Sequence, residues 1–352
     1  MLIKENRSSV YDYHGYFKQC LILQLTLRCP LRCEHCIVDA SPNRKEEMTV
    51  EQAVNLLEEI GRENEVKVVA ITGGEPFLNL ERLRAILTVA QKYDLKIAIV
   101  TSASWATDYN KAIKILKQLP PIANLSLSAD KYHLDFVSLK RVKNAAQAAI
   151  SLGIEVGAFI CLESDEDDFL ELFQQNMGEE LYTQIKIITE YVHVIGRAIN
   201  STEINSKIER VALEDLPTVG CPTASAPAIM TDGTVMACCG DTVSDTQNWE
   251  ALKLGNLNHE SISEILSKAE DNLLVHALRL MGPKKLALIA AEKLGNHIFK
   301  QSYEKNNICD ICRTVSTNPQ VVAYLREYLQ QPEIIETLAL GRLLKFGEQV
   351  NK

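Results

Sequence analysis

The sequence predicts an α/β chain with a parallel sheet in its first two hundred residues and a smaller cysteine-bearing unit behind it. Apolar strand-like runs alternate with amphipathic helical stretches, the pattern that builds βα units. Beyond residue 200 that alternation stops and cysteines return. The chain is long enough for a large domain and a second, smaller one.

Taken in order, strands are expected near 21–27, 66–71, 95–101, 123–128, 154–161 and 184–193. Helices fall between them near 50–62, 79–92, 108–118, 133–152 and 166–176. The first helix opens with a capping box, Thr49-x-x-Gln52, ahead of an apolar face with Val54, Leu56 and Leu57. Later, Ala228 to Cys238 reads as a hairpin whose turn is Asp232-Gly233. Two apolar helical segments, Leu273 to Met281 and Leu286 to Leu294, are broken at Gly282-Pro283, and two closing helices, 319–330 and 333–346, are split at Pro332. The first pair either lines a substrate pocket, docks a partner or thickens the core; the closing pair is expected to cap the domain or the barrel. Residues 1–200, 201–316 and 317–352 are therefore expected as successive units.

The chemistry sits at strand ends, where ligands of parallel sheets bind. Cys29-Pro-Leu-Arg-Cys33-Glu-His-Cys36 follows the run Leu21 to Leu27. Three thiolates on one loop can hold three irons of a cubane [4Fe–4S] cluster and leave the fourth open to a ligand. A structural zinc site wants four closed ligands, and a ferredoxin cluster four thiolates. Ile71-Thr-Gly-Gly-Glu-Pro76 closes the run that begins at Val66, and Gly73 and Gly74 let backbone approach a ligand closely.

The C-x3-C-x2-C spacing and the GGEP strip resemble the radical S-adenosylmethionine (SAM) family. The resemblance implies a partial (β/α)6 barrel and a SAM-binding cluster on Cys29, Cys33 and Cys36. It implies that Gly73, Gly74 and Glu75 hold the SAM amino group and that His35 packs on the adenine. Val194-Ile-Gly-Arg-Ala198 resembles the ending of the sixth strand, where Arg197 would meet the methionine carboxylate; a solvated loop arginine is the alternative. Ser126-Leu-Ser128-Ala-Asp130 ends the fourth strand, so Ser128 is a candidate near the ribose or substrate, against a plain helix cap there. Thr101-Ser102-Ala103 departs from the Thr-Asn-Gly of many relatives, which puts Ser102 as a SAM contact in doubt.

Cys221-x11-Gly233-x4-Cys238 followed by Cys309-x2-Cys312 resembles the twitch domain, a truncated form of the SPASM domain. The fold expected overall is thus the partial barrel followed by a small α+β twitch-type domain with extra helices. In that family these four cysteines hold one auxiliary [4Fe–4S] cluster; a four-cysteine zinc ribbon is the alternative. Cys238 fits the spacing better than its neighbour Cys239. Cys20, Cys161 and Cys239 are left over. Radical-SAM epimerases use a thiol to return a hydrogen atom, which makes Cys161 and Cys239 candidate catalytic donors; a small buried apolar role is the alternative.

Composition narrows the classes. At 46% hydrophobic and 24% charged residues the chain is an ordinary globular protein. A net charge of −9 lacks the basic footprint of nucleic-acid binding. Met1 to Arg7 is polar, no signal-peptide core opens the chain, and no apolar run approaches a membrane span. Reduced thiolates suit the cytoplasm. The resemblance implies an enzyme that reductively cleaves SAM to a 5′-deoxyadenosyl radical and abstracts a hydrogen atom from its substrate, with electrons from a donor such as flavodoxin or ferredoxin. The expected substrate is a ribosomally synthesised precursor peptide, cross-linked or epimerised. Many such maturases carry a leader-binding module before the barrel, and the about twenty residues that precede the first strand here weigh against the peptide reading. The alternatives are a dehydrogenase of a small polyol or aminocyclitol and a zinc-binding scaffold.

Overall fold

The computed structural model of the chain describes residues 9–13 and 15–348, and the polar run Met1 to Arg7 lies outside them. Six strands run parallel in chain order: β1 (Cys20–Thr26), β2 (Val68–Gly73), β3 (Lys96–Thr101), β4 (Asn124–Ser128), β5 (Glu155–Leu162) and β6 (Ile185–Tyr191). Between them lie α1 (Val50–Glu63), α2 (Leu80–Lys92), α3 (Tyr109–Leu116), α4 (Lys131–Leu134), α5 (Leu139–Ser151), α6 (Phe169–Met177) and α7 (Glu179–Tyr182). The capping box forms: the Gln52 N–H donates to Thr49 Oγ1 at 3.1 Å, and the Thr49 N–H donates to Gln52 Oε1 at 2.9 Å.

Every residue of β1 is buried, as expected of a parallel strand covered on both faces. Its alternate side chains enter two cores. Leu21, Leu23 and Leu25 pack with the crossover helices, whereas Cys20 and Ile22 pack with residues of the C-terminal unit such as Cys221, Met236 and Trp249. The helix expected at 133–152 is two helices. Asp130 caps α4 through a 2.9 Å bond from the His133 N–H, and Ser138, in extended conformation, starts α5 afresh. The capping bond ties the first turn to a buried carboxylate, so the chain must break before it can pack the second helix on the sheet.

The C-terminal unit holds α8 (Thr202–Lys207), β7 (Arg210–Val211), β8 (Ala228–Ile229), β9 (Thr234–Met236), β10 (Lys253–Asn256), α9 (Ile262–Glu270), α10 (Leu273–Leu280), α11 (Gly282–Leu294), β11 (Tyr303–Glu304), α12 (Ile308–Thr317), α13 (Pro319–Tyr328) and α14 (Pro332–Phe346). β8 and β9 form the expected hairpin, with Gly233 at φ +84° in its turn. β8 also lies parallel to β1, pairing Ile22 with Ala228. The main sheet therefore runs β10-β9-β8-β1-β2-β3-β4-β5-β6, and the hairpin occupies the edge of β1 where a closed barrel would place β6. Proline opens α11 and α14 in their first turns, where a missing N–H costs no helical bond. Among the described residues, no helix is long and apolar enough to cross a membrane.

Candidate metal centres

The loop after β1 lays Cys29, Cys33 and Cys36 across the carboxyl end of the sheet. It is held by its own backbone: the Cys36 N–H donates to Cys33 O at 3.2 Å and the Cys29 N–H to Ser41 O at 3.1 Å. The end of β2 docks directly on this chain. The Gly74 N–H donates to Thr26 O at 2.5 Å and the Glu75 N–H to Arg28 O at 2.9 Å. A Cβ added at Gly73 would lie 2.2 Å from Thr26 O, and one at Gly74 2.1 Å from Arg28 O. The glycines therefore permit, first of all, contact between the two motif-bearing backbones, and Gly73 also sits at φ +119°.

Glu75 is 1% exposed and faces inward. Its Oε1 accepts from Thr101 Oγ1 (2.8 Å) and the Phe77 N–H (3.1 Å), and its Oε2 from the N–H (3.0 Å) and Oγ (2.5 Å) of Ser102. Burial raises its pKa against the pull of these bonds. Ser102 thus serves Glu75. Ala103 follows at φ +59°, a conformation that the glycine of the family pattern adopts without strain.

His35 stacks on Tyr132 at 4.7 Å between centroids, and its Nε2 lies 3.2 Å from Asp130 Oδ2. Its Nδ1 is buried without a hydrogen-bond partner in the structure. Asp130 also meets His133 Nδ1 at 2.8 Å. Burial would raise the Asp130 pKa, but the two imidazoles hold it well below the carboxylate range. Burial would likewise lower His133, yet the Asp130 charge lifts it to about 10. The helix-cap reading of the fourth strand end holds, since Asp130 caps α4, and the same carboxylate bridges two histidines. Ser128 closes β4 half-buried beside it. Cys161, near the end of β5, places its sulfur within 4.8 Å of ligand atoms of His35 and Asp130.

Arg197 lies in a short 3-10 turn, Gly196–Asn200, seated on the cysteine loop. A Cβ at Gly196 would come 2.3 Å from Ile37 O. The Arg197 N–H donates to Cys36 O at 3.0 Å. Its guanidinium donates to Cys33 O (2.5 Å), Asp39 Oδ1 (2.8 Å) and the Ala40 carbonyl. Sequence spacing showed an arginine at the right strand end but not that its fork faces the loop.

Cys221, Cys238, Cys309 and Cys312 converge although they come from three segments. A Cβ at Gly240 would lie 3.0 Å from Cys309 Sγ and 3.9 Å from Cys238 Sγ. Burial, with the neighbouring thiolates adding, pushes Cys238 up to about 11 and Cys309 and Cys312 well above the thiol range. Cys29 is pushed up to about 12 by burial, with Glu75, Cys33 and Cys36 contributing. Buried sulfurs that repel one another ionise readily only around a cation, and an all-thiolate donor set suits iron–sulfur clusters. Both sets fit such a group, and the orphaned His35 Nδ1 leaves a buried polar atom for a ligand beside the first. Cys239, half-buried, lies near Cys20 and Cys221. All ten cysteines are free thiols.

Two family profiles match the chain: the Radical SAM superfamily over residues 23–175, and SPASM, an iron–sulfur cluster-binding domain, over 221–313. YydG of Bacillus subtilis, a protein named for peptide biosynthesis, is 22% identical over 317 residues, covering 90% of this chain and 97% of that protein. GTP 3′,8-cyclase of Campylobacter lari is 27% identical over 210 residues, 55% of this chain and 63% of that enzyme. Among solved structures, Streptococcus suis SuiB bound to S-adenosylmethionine superposes with a TM-score of 0.43 at 16% identity, covering 76% of this chain and 69% of SuiB. BtrN in complex with AdoMet and 2-DOIA superposes at 0.42 and 12% identity, covering 77% and 91%. Superpositions this loose add nothing to the reading of the sites. The two profiles span the cysteine loop, the GGEP strip and the second cysteine set: the chain carries a Radical SAM superfamily domain over residues 23–175 and a SPASM iron–sulfur cluster-binding domain over residues 221–313.

Proposed function

We propose that this radical SAM enzyme modifies a ribosomally synthesised precursor peptide by hydrogen-atom abstraction. The likeness to YydG, a protein named for peptide biosynthesis, carries this reading, because it extends over nearly the whole of both chains. The proposal includes two [4Fe–4S] clusters, one on Cys29, Cys33 and Cys36 and one on Cys221, Cys238, Cys309 and Cys312. When bound, the first cluster and SAM supply the hydrogen-abstracting radical, with an electron from a small reducing protein.

The chain's own residues bind and orient. Gly73 and Gly74 keep the SAM-binding strip against the cysteine loop, Arg197 fastens that loop, and Glu75 rigidifies the strip. His35, Ser128 and Arg197 complete the proposed SAM site. The second cysteine set closes all four positions, which suits electron transfer rather than substrate binding.

Cys161 and Cys239 are the proposed hydrogen donors. A thiol gives up a hydrogen atom only while protonated, and burial raises the pKa of both, with Asp130 and Glu190 adding at Cys161 and neighbouring cysteines at Cys239. Epimerisation of a backbone α-carbon needs such a donor; cross-linking does not.

The test incubates the anaerobically reconstituted enzyme with SAM, a reductant and the product of any short open reading frame found beside its gene, in deuterated water. One deuterium at an α-carbon, with no other mass change, identifies epimerisation; loss of two hydrogens identifies a cross-link. No peptide product together with oxidation of an added aminocyclitol would transfer the assignment to the dehydrogenase reading.

A further inference from the structure

Each of the four C-terminal cysteine sulfurs has a hydrogen-bonding group of this chain against it. Thr223 Oγ1 lies 3.2 Å from Cys221 Sγ, Thr242 Oγ1 3.4 Å from Cys238 Sγ, and Ser316 Oγ 3.6 Å from Cys312 Sγ. The Asp241 N–H serves Cys309, and the Gly240 N–H adds a second bond to Cys238. The N-terminal loop is different. Its sulfurs meet backbone N–H groups at Leu31 and Ala40 and the His133 ring, and among the described residues no hydroxyl hydrogen-bonds to them.

The three hydroxyls are not equivalent. Thr242 Oγ1 also lies 2.8 Å from Cys238 O, and its single proton is shared between that carbonyl and the sulfur. Ser316 stands at the outer limit for a bond to sulfur, one helical turn after Cys312. Thr223 makes no other side-chain hydrogen bond among the described residues, so its proton is directed at Cys221. It lies two residues after the buried Cys221 and opens a short 3-10 turn, Thr223–Ser225, beside Gly240.

We infer that these hydroxyls, with Thr223 foremost, set the reduction potential of the C-terminal cluster by stabilising its more electron-rich state. The inference rests on the reading that Cys221, Cys238, Cys309 and Cys312 ligate a [4Fe–4S] cluster. A ligating sulfur is a thiolate, so a neighbouring hydroxyl must be the donor. Adding one electron to the cluster increases the negative charge on its sulfurs, and a hydrogen bond to a more charged acceptor is stronger. The difference is larger in a buried, low-dielectric setting, and Cys221, Cys238 and Cys312 are all buried. Such bonds therefore raise the potential, a recognised lever of the protein on cluster redox chemistry. Thr223, Thr242 and Ser316 are positioning residues, acting through the sulfurs they face. The cluster-bearing SAM loop lacks this hydroxyl set, so the two sites are tuned separately, the C-terminal one toward holding an electron.

The experiment is an anaerobic redox titration of the reconstituted holoenzyme, followed by electron paramagnetic resonance of both clusters. Thr223→Val removes the donor while keeping the side chain's shape. At the wild-type midpoint its C-terminal cluster should show a reduced-to-oxidised ratio about tenfold lower, a fall of about 59 mV for a one-electron couple. The SAM-loop cluster should keep its midpoint, and Thr223→Ser should restore the C-terminal one. An unchanged midpoint in a Thr223→Val enzyme holding both clusters overturns the inference. Should Thr223→Val fail to load, Ser316→Ala reads the same quantity, with a smaller fall expected and no fall overturning the role of the hydroxyls. A wild-type enzyme with about four irons and one paramagnetic species would instead refute the ligand set, a different failure.

Discussion

The guanidinium of Arg197 donates to the backbone carbonyl of Cys33, 2.5 Å away, across 164 residues of sequence. That contact, with those to Asp39 and Ala40, fastens the cysteine loop to the end of the sixth βα unit. The arginine's planar fork serves three acceptors on one loop, a geometry that lysine cannot reproduce.

Arg197→Lys should therefore behave nearly as badly as Arg197→Ala. Both are expected to lower iron content in the N-terminal loop and to slow formation of 5′-deoxyadenosine at least tenfold, by loosening ligands that must be held within about half an ångström. Iron analysis and a single-turnover cleavage assay check this. Full activity in the lysine variant would show that charge alone suffices.

Cys33→Ala should abolish reductive SAM cleavage, because only two thiolates remain on the loop. Cys309→Ala should spare cleavage and stop productive turnover. Chromatographic measurement of 5′-deoxyadenosine and of modified substrate separates the two. Retained cleavage without Cys33, or unchanged product without Cys309, would break the corresponding assignment.

Gly74→Ala and Gly153→Ala form a matched pair. The first puts a Cβ 2.1 Å from Arg28 O, a backbone atom that cannot yield without moving the motif loop; the second meets nothing within 4 Å, although its φ of +74° is strained. We expect Gly74→Ala to lose about 1–3 kcal/mol of stability by overpacking and most SAM binding. Gly153→Ala should lose about 1 kcal/mol, with SAM affinity intact. Calorimetric titration with SAM decides between them.

Glu348 accepts from Arg279 (2.5 and 3.0 Å), Arg342 (3.0 Å) and the Phe17 N–H (3.1 Å). Burial would raise its pKa, but the arginines outweigh burial and hold it at about 2, against an ordinary 4.5. A folded value below the unfolded one means that the stabilisation is complete above about pH 4.5 and is lost as pH falls toward 2. Glu348→Gln leaves the fully buried Arg279 uncompensated and should cost about 3 kcal/mol at pH 7. In denaturant unfolding, the gap to wild type should close progressively between those pH values.

Much of the architecture was legible because local chemistry repeats. The runs at β1 to β5 stand out since strands largely buried on both faces are apolar along most of their length, whereas β6, at the sheet edge, is mostly half-buried or exposed. Thr49 and Gln52 announce α1, and Asp232-Gly233 announces the hairpin, because caps and turns are settled within four residues. The cysteine loop and GGEP strip are legible for the same reason, each placing its donors on one short segment.

What the residues by themselves determined is the menu: a parallel βα sheet, three thiols on one loop, glycines where backbone must pass close, and four further cysteines. Tertiary structure alone decided that β8 takes the edge of β1, that Asp130 joins His35 to His133, that Arg197 grips the cysteine loop, and that Thr223 faces Cys221. The physical reason is range. Propensity, capping and apolar periodicity act over a turn or two of chain, whereas these contacts join segments whose approach is settled only when the two faces of β1 are buried together.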